Sequence, residues 1–139
     1  MAASKSWSAG LPVSRKRRSF TLSEANRSIP YVRRIVADIV SAHENATVLH
    51  ARLESRTGPA RAEVEVEMER TVDRLHELID ELRGVGCEIR DYRTGLVDFV
   101  AKHRGREINL CWRLGEDSIQ HWHELHDGIS ARQPINLLS

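Results

Sequence analysis

The sequence predicts an α+β domain in which a long antiparallel helical hairpin precedes a small antiparallel β-sheet of three to four strands. Apolar residues recur at intervals of three and four as far as Arg83, which is typical of amphipathic helices. From Cys87 onward the interval changes to two, which is typical of strands. A chain of 139 residues is also the usual length of one domain. We therefore predict a disordered basic tail over 1–19 and a single domain over 20–139, with the hairpin at 20–84 and the β module at 85–139.

The composition limits the possible partners. Charged residues make up 29% of the chain, but the formal net charge is only +1, so a general nucleic-acid binder is not expected. No apolar run approaches the roughly 20 residues that a membrane span needs, and the first residues lack the apolar core of a secretory signal. With only two cysteines, we expect a cytoplasmic protein with reduced thiols and no membrane partner.

The first helix is predicted to begin after Phe20. Thr21 and Glu24 have the spacing of a capping box, in which each side chain accepts a hydrogen bond from the other residue's backbone. Pro30 lacks an amide hydrogen, so we expect a short segment that kinks before the longer helix Tyr31–Ser55. The predicted apolar stripe contains two histidines and consists of Val32, Val36, Ile39, His43, Ala46, His50 and Leu53.

The second helix is predicted from Ala60 to Arg83, after the break at Thr57-Gly58-Pro59, with Gly84 as the left-handed residue that ends it. Because the connection is short, the helices should lie antiparallel. The stripe of the second helix consists of Val64, Met68, Thr71, Leu75, Leu78 and Leu82. This stripe offers more apolar surface than the histidine-bearing stripe of the first helix can cover. We therefore predict a homo-oligomer, in the simplest case a homodimer, that forms through the helices as in a coiled coil.

The β module is punctuated by Gly95 and Gly105, which are expected in turns. The last strand is predicted over Ser118–Leu125. A turn centred on Glu116-Asp117 would place Leu110 opposite His123 and Trp112 opposite His121. A slip of one residue would exchange these pairs.

Several short motifs resemble those of a bacterial family catalogued as domain of unknown function 2203. They are Glu24-Ala25-Asn26, Gly95-Leu96-Val97-Asp98-Phe99, Gly105-Arg106-Glu107, Cys111-Trp112-Arg113-Leu114-Gly115-Glu116, Trp122-His123-Glu124-Leu125, and Gly128 with Arg132-Gln133-Pro134. The resemblance covers about Phe20 to Pro134. It implies a fold and a set of polar positions, but no activity.

One candidate site is a divalent metal centre, with zinc as the first choice, formed by His123, His121 and a carboxylate from Asp98 or Glu116. Histidines two apart on a strand point to one face, where a neighbouring carboxylate completes a set of N and O ligands. Cys111 would add a thiolate only if the register brings it to that face.

The alternatives use the same residues. The more common role of such a histidine is structural, so His123 is alternatively interpreted as a buried, hydrogen-bonded residue, and Asp98 as half of a salt bridge with Arg113 or Arg132. Cys111 is interpreted as a small buried hydrophobe. No CxxC, HExxH or nucleophile motif occurs, so we expect neither a catalytic residue nor an organic cofactor. The second functional hypothesis is a helical-hairpin interaction module with no metal and no catalysis.

Overall fold

In the computed structural model, which describes residues 18–125 and 132–137, a two-helix hairpin packs on one face of an antiparallel sheet. The helices are α1 (Leu22–Ser55) and α2 (Gly58–Val85). The strands are β1 (Cys87–Asp91), β2 (Leu96–His103), β3 (Arg106–Arg113), β4 (His121–Glu124) and β5 (Gln133–Pro134), followed by a short 3₁₀ helix (Ile135–Leu137). The strands lie in chain order across the sheet, and every neighbouring pair is antiparallel. The predicted α+β fold is confirmed, with five described strands where three to four were expected.

The predicted capping box is present at the start of α1. The amide of Glu24 donates to Thr21 Oγ1 at 3.0 Å, and the amide of Thr21 donates to Glu24 Oε1 at 2.9 Å. The helix continues through Pro30 as one element, so the division into two segments is wrong. Ala25 and Ile29 are fully buried before the proline, and their packing keeps the first turns on the sheet.

The two ends of α1 differ in burial. The end nearest the sheet contributes most of its buried residues: Ala25, Ile29, Val32, Ile35, Val36 and Ile39. In the other half Leu49 is buried, whereas His50 of the predicted stripe is exposed and His43 stacks on Tyr92 with ring centroids 5.5 Å apart. The core therefore lies where the hairpin meets the sheet.

Helix α2 is longer at both ends than predicted. The left-handed residue that caps it is Gly86 and not Gly84. Gly86 has φ 115°, and its amide donates to Leu82 O at 3.3 Å. Two further helical residues therefore precede β1. Val64, Thr71, Leu78, Ile79 and Leu82 of α2 are buried within this one chain. The homo-oligomer stays a prediction, and less of this stripe is left for a partner than the sequence suggested.

The two faces of the sheet differ in chemistry. The inner face packs on the helices and is apolar, and it consists of Cys87, Ile89, Val97, Phe99, Ala101, Ile108, Leu110, Trp112 and Trp122. The centre of the outer face contains alternate residues of the same strands, namely Leu96, Asp98, Val100, Asn109, Cys111, His121 and His123. These residues are buried except His121, which is half-buried, whereas Arg90, Lys102, Glu107 and Arg113 lie farther out on the same face and are exposed.

Phe20 joins the chain before α1 to the sheet. Its backbone pairs in parallel with Ala101, its amide donates to Val100 O at 2.7 Å, and its ring meets Phe99 edge-on at 5.2 Å. The guanidinium of Arg18 lies over the Phe20 ring at 4.3 Å. Residues 1–17 of the predicted tail lie outside the described residues. Neither described helix has a stretch long and apolar enough to cross a membrane.

Candidate metal centre on the outer face of the sheet

The register of β3 and β4 decides which side chains meet. Cys111 lies opposite His121, and Asn109 lies opposite His123. The predicted pairs of Leu110 with His123 and of Trp112 with His121 are therefore wrong by one residue. With this slip both histidines lie on the outer face, beside Asp98 and Cys111, and away from the inner face.

The physical reason for the slip is the connection between β3 and β4. It begins with a turn in which the amide of Glu116 donates to Arg113 O at 2.9 Å, and Gly115 has φ 106°. It then runs along α1, where Asn26 Oδ1 accepts from the amide of Ile119 at 2.8 Å. The Asn26 contact is long-range, and it holds the connection in a conformation that differs from a tight symmetrical turn.

Asp98 is the central charged residue of the outer face, and its side chain is 1% exposed. Arg90 Nε on β1 donates to Oδ2 at 2.9 Å. His123 Nε2 lies 3.1 Å from Oδ1 and 3.2 Å from Oδ2. The predicted salt bridge therefore exists, but its arginine is Arg90 and not Arg113 or Arg132.

The His123 ring has a hydrogen-bond acceptor at each nitrogen. Nδ1 lies 2.9 Å from the Glu124 carbonyl oxygen, so it must carry a proton to make that bond. Nε2 faces the Asp98 carboxylate. A neutral ring would then point its Nε2 lone pair at two oxygens, which is unfavourable. The position between Nε2 and Asp98 therefore suits a positive charge, either a second ring proton or a metal ion.

Cys111 is the third member of this group and is fully buried. Burial and, to a smaller extent, the negative charge of Asp98 raise the pKa of its thiol to about 12, against an opposing effect of Arg132. The sulfur, one Asp98 oxygen and one His123 nitrogen all lie within 4.8 Å of one another. We call these three residues the Asp98–Cys111–His123 cluster.

His121 and Glu116, the other predicted ligands, form a separate contact with Arg132. Arg132 Nη2 donates to His121 Nδ1 at 2.8 Å and to Glu116 Oε2 at 3.3 Å. His121 Nδ1 lies 3.7 Å from Glu116 Oε2. The other Glu116 oxygen accepts from the Arg113 amide at 2.8 Å. Glu116 thus holds the β3–β4 connection in place, and neither residue belongs to the Asp98–Cys111–His123 cluster.

Two outer-face residues were not singled out from the sequence. Arg90 was one of many arginines, and its contact with Asp98 depends on the pairing of β1 with β2. Asn109 carried a usable signal, because it is a polar residue in a run of buried ones, two positions before Cys111 on the same face. That period of two places Asn109 and Cys111 together whatever the register of β4.

The comparisons with known proteins identify a family. The family DUF2203, described as "Uncharacterized conserved protein", matches residues 18–135. No curated protein and no solved structure matches the chain. The chain belongs to the DUF2203 family, and the match spans both helices and all five described strands.

Proposed function

We propose that this DUF2203 protein binds one divalent metal ion, with zinc the most suitable, through Asp98, Cys111 and His123. The observation that carries the proposal is the mutual distance of their three ligand atoms, all within 4.8 Å, on side chains that are each at least 96% buried.

The spacing is close to what zinc requires. Zinc binds sulfur at about 2.3 Å and nitrogen or oxygen at about 2.0–2.2 Å, so two ligands of a tetrahedral site lie roughly 3.3–3.8 Å apart. The Asp98 and His123 atoms are already 3.1 Å apart. Small side-chain rotations would bring the three ligand atoms around one ion without a change in the sheet.

The charges also support a divalent ion. A carboxylate and a thiolate supply two negative charges, and a neutral imidazole supplies a lone pair. A doubly positive ion between them replaces the proton that the His123–Asp98 contact otherwise needs. The mixed set of sulfur, nitrogen and oxygen favours zinc over magnesium or calcium, which prefer oxygen alone.

Hydrogen bonds with neighbouring groups orient two of the proposed ligands. The Glu124 carbonyl holds His123 Nδ1–H and so directs Nε2 into the cluster. Arg90 holds Asp98 Oδ2, which leaves Oδ1 free to coordinate. Such second contacts fix the orientation of ligands in known metal sites.

The competing explanation is a purely structural cluster, in which a doubly protonated His123 forms an ion pair with Asp98. It accounts for Asp98 and His123, and it keeps Cys111 as a protonated thiol that donates a hydrogen bond to Asp98, whereas zinc binding requires the thiolate. The thiol is therefore the residue at which the two explanations separate.

Cys87 offers a matched control for a substitution of Cys111. Both thiols are buried, and burial raises the pKa of each to about 12, but Cys87 lies on the inner face among apolar residues. Zinc affinity should be measured by competition with a chromophoric chelator for wild type, Cys111→Ser and Cys87→Ser. We expect one zinc per chain for wild type and Cys87→Ser, and at least tenfold weaker binding for Cys111→Ser. Equal affinity in all three, or no binding by folded wild type, would contradict the proposal.

A further inference from the structure

We infer that Asn109 supplies the fourth ligand of this metal site through its side-chain oxygen, so that the protein encloses the ion completely. This inference rests on the proposed function and deepens it. It specifies a closed, four-ligand site, which is the arrangement of a structural metal and not of a catalytic one.

The first observation is that Asn109 Oδ1 is buried without a hydrogen-bond partner among the described residues. Asn109 is 2% exposed, so solvent does not satisfy this oxygen. Buried acceptors are nearly always paired, because an unpaired one keeps the full cost of its desolvation. This buried amide oxygen is therefore available to bind a further group.

The second observation is the position of Asn109 relative to the three proposed ligands. It lies directly opposite His123 on β4, where paired Cβ atoms are about 4.5–5.5 Å apart. It precedes Cys111 by two residues on β3 and points to the same face. It is diagonal to Asp98, because Asp98 pairs with Cys111 and Val100 pairs with Asn109. Asn109 is thus a neighbour of all three ligands.

Charge is compatible with a neutral fourth ligand. Asp98 and a deprotonated Cys111 already neutralise a divalent ion, so the fourth ligand needs no charge of its own. The amide oxygen of Asn109 would complete four-coordination in this way.

The experiment uses cobalt(II) as a spectroscopic substitute for zinc in the full-length protein. Wild type should show the intense visible absorption of tetrahedral cobalt with one thiolate ligand. Because no coordination position is open, added azide or thiocyanate should leave that spectrum unchanged. A spectrum that shifts when either anion is added would show an open position and would overturn the inference.

Two substitutions of Asn109 complete the test. Asn109→Leu has a similar shape but no oxygen, so cobalt and zinc binding should weaken at least tenfold. Its metal-free form should melt at the same temperature as metal-free wild type or higher, because the unpaired amide is gone. Asn109→Asp keeps an oxygen ligand and should retain binding within tenfold of wild type at pH 8.

The outcomes separate this inference from the proposed function. If wild type binds neither cobalt nor zinc, both fail. If wild type binds one ion per chain and Asn109→Leu binds equally well, only the role of Asn109 fails. The role of Asn109 as a ligand is supported if Asn109→Leu binds metal more weakly while its metal-free form melts at the same or a higher temperature. Loss of an ordinary structural contact would instead lower the melting temperature of the metal-free form.

Discussion

Both faces of the sheet have buried residues at their centre, yet different physics stabilises each of them. Phe99 and Trp112 on the inner face are fully buried among apolar helix residues, where the hydrophobic effect is sufficient. Asp98 and His123 on the outer face are 1% and 3% exposed, where each polar atom needs a partner. Burial on the inner face therefore contributes stability whatever the detailed geometry, whereas burial on the outer face is tolerated only if the polar atoms are arranged correctly. For that reason the proposed function is placed on the outer face.

The largest expected effect comes from the inner face. Phe99→Ala removes a fully buried ring that packs edge-on against Phe20, so we expect the free energy of unfolding to fall by about 3–5 kcal/mol. Urea unfolding measures this loss. Zinc affinity of the folded variant should match wild type, because the substitution does not alter the outer face. A large loss of zinc affinity at temperatures where the variant is folded would show that the two faces are not independent.

His123→Ala is the corresponding change on the outer face. In metal-free protein it leaves Asp98 with Arg90 as its remaining partner and creates a cavity, and we expect a loss of about 1–3 kcal/mol. The same variant should lose zinc binding. With wild type, zinc at 100 times its dissociation constant should add about 2.7 kcal/mol to stability, and a chelator should reverse this. Thermal melts of both proteins with zinc and with chelator test the two effects together. If His123→Ala gains as much from zinc as wild type does, His123 is not a ligand.

A smaller loss of stability, in alkaline solution, should arise from one buried thiol on each face of the sheet. Burial raises the pKa of Cys87 and of Cys111 from 9.0 to about 12. Between these values the unfolded chain releases thiol protons that the folded chain retains, so the stability of metal-free protein should fall as pH rises from about 9. Cys87→Ser and Cys111→Ser should each reduce the slope of unfolding free energy against pH. An unchanged slope in both variants would mean that the thiols do not control it.

Zinc should make the two thiols differ. Zinc binding must displace the proton of Cys111 but not that of Cys87, so the apparent zinc affinity should rise about tenfold per pH unit from this proton alone. Titrations at pH 7 and 8 measure the change. The same pH dependence is expected of Cys87→Ser, because its remaining thiol is the proposed ligand.

The smallest expected effect concerns the predicted tail. Phe20 pairs with the sheet and Arg18 lies over the Phe20 ring, so a truncation should stop before them. Removal of residues 1–17 should change stability by no more than about 0.5 kcal/mol, the usual range for substitutions away from packed regions. A large fall in melting temperature would show that these residues cover part of the domain.

The sequence predicted the architecture well because local signals determined it. The capping box at Thr21, the break between the helices and the turn at Gly105 all depend on residues a few positions apart, and each occurs within two residues of its predicted position. The register of β4 could not be predicted in the same way. It depends on a connection held by Asn26, 93 residues from Ile119 along the chain.

That one-residue slip decided how much of the site was predicted. Asp98 and His123 were named from the sequence, and they do meet. Cys111 was predicted as a ligand only if the strand register placed it on the same face as the histidines, and the register does place it there. The Arg90 contact could not be predicted because it needs the β1–β2 pairing, whereas the polarity of Asn109 in a buried strand is a local signal. Side-chain neighbours across strands follow from register, and a local pattern does not specify register.

The central claim is that the Asp98–Cys111–His123 cluster holds a metal ion and is not only a hydrogen-bonded group. The most direct measurement is zinc X-ray absorption on wild-type protein that has been loaded with zinc and dialysed. The account predicts one zinc per chain, with one sulfur at about 2.3 Å and nitrogen or oxygen ligands at about 2.0–2.2 Å. The loss of the sulfur ligand in Cys111→Ser, but not in Cys87→Ser, would assign it. A shell of nitrogen and oxygen alone in wild type, or no zinc retained after dialysis, would contradict the claim.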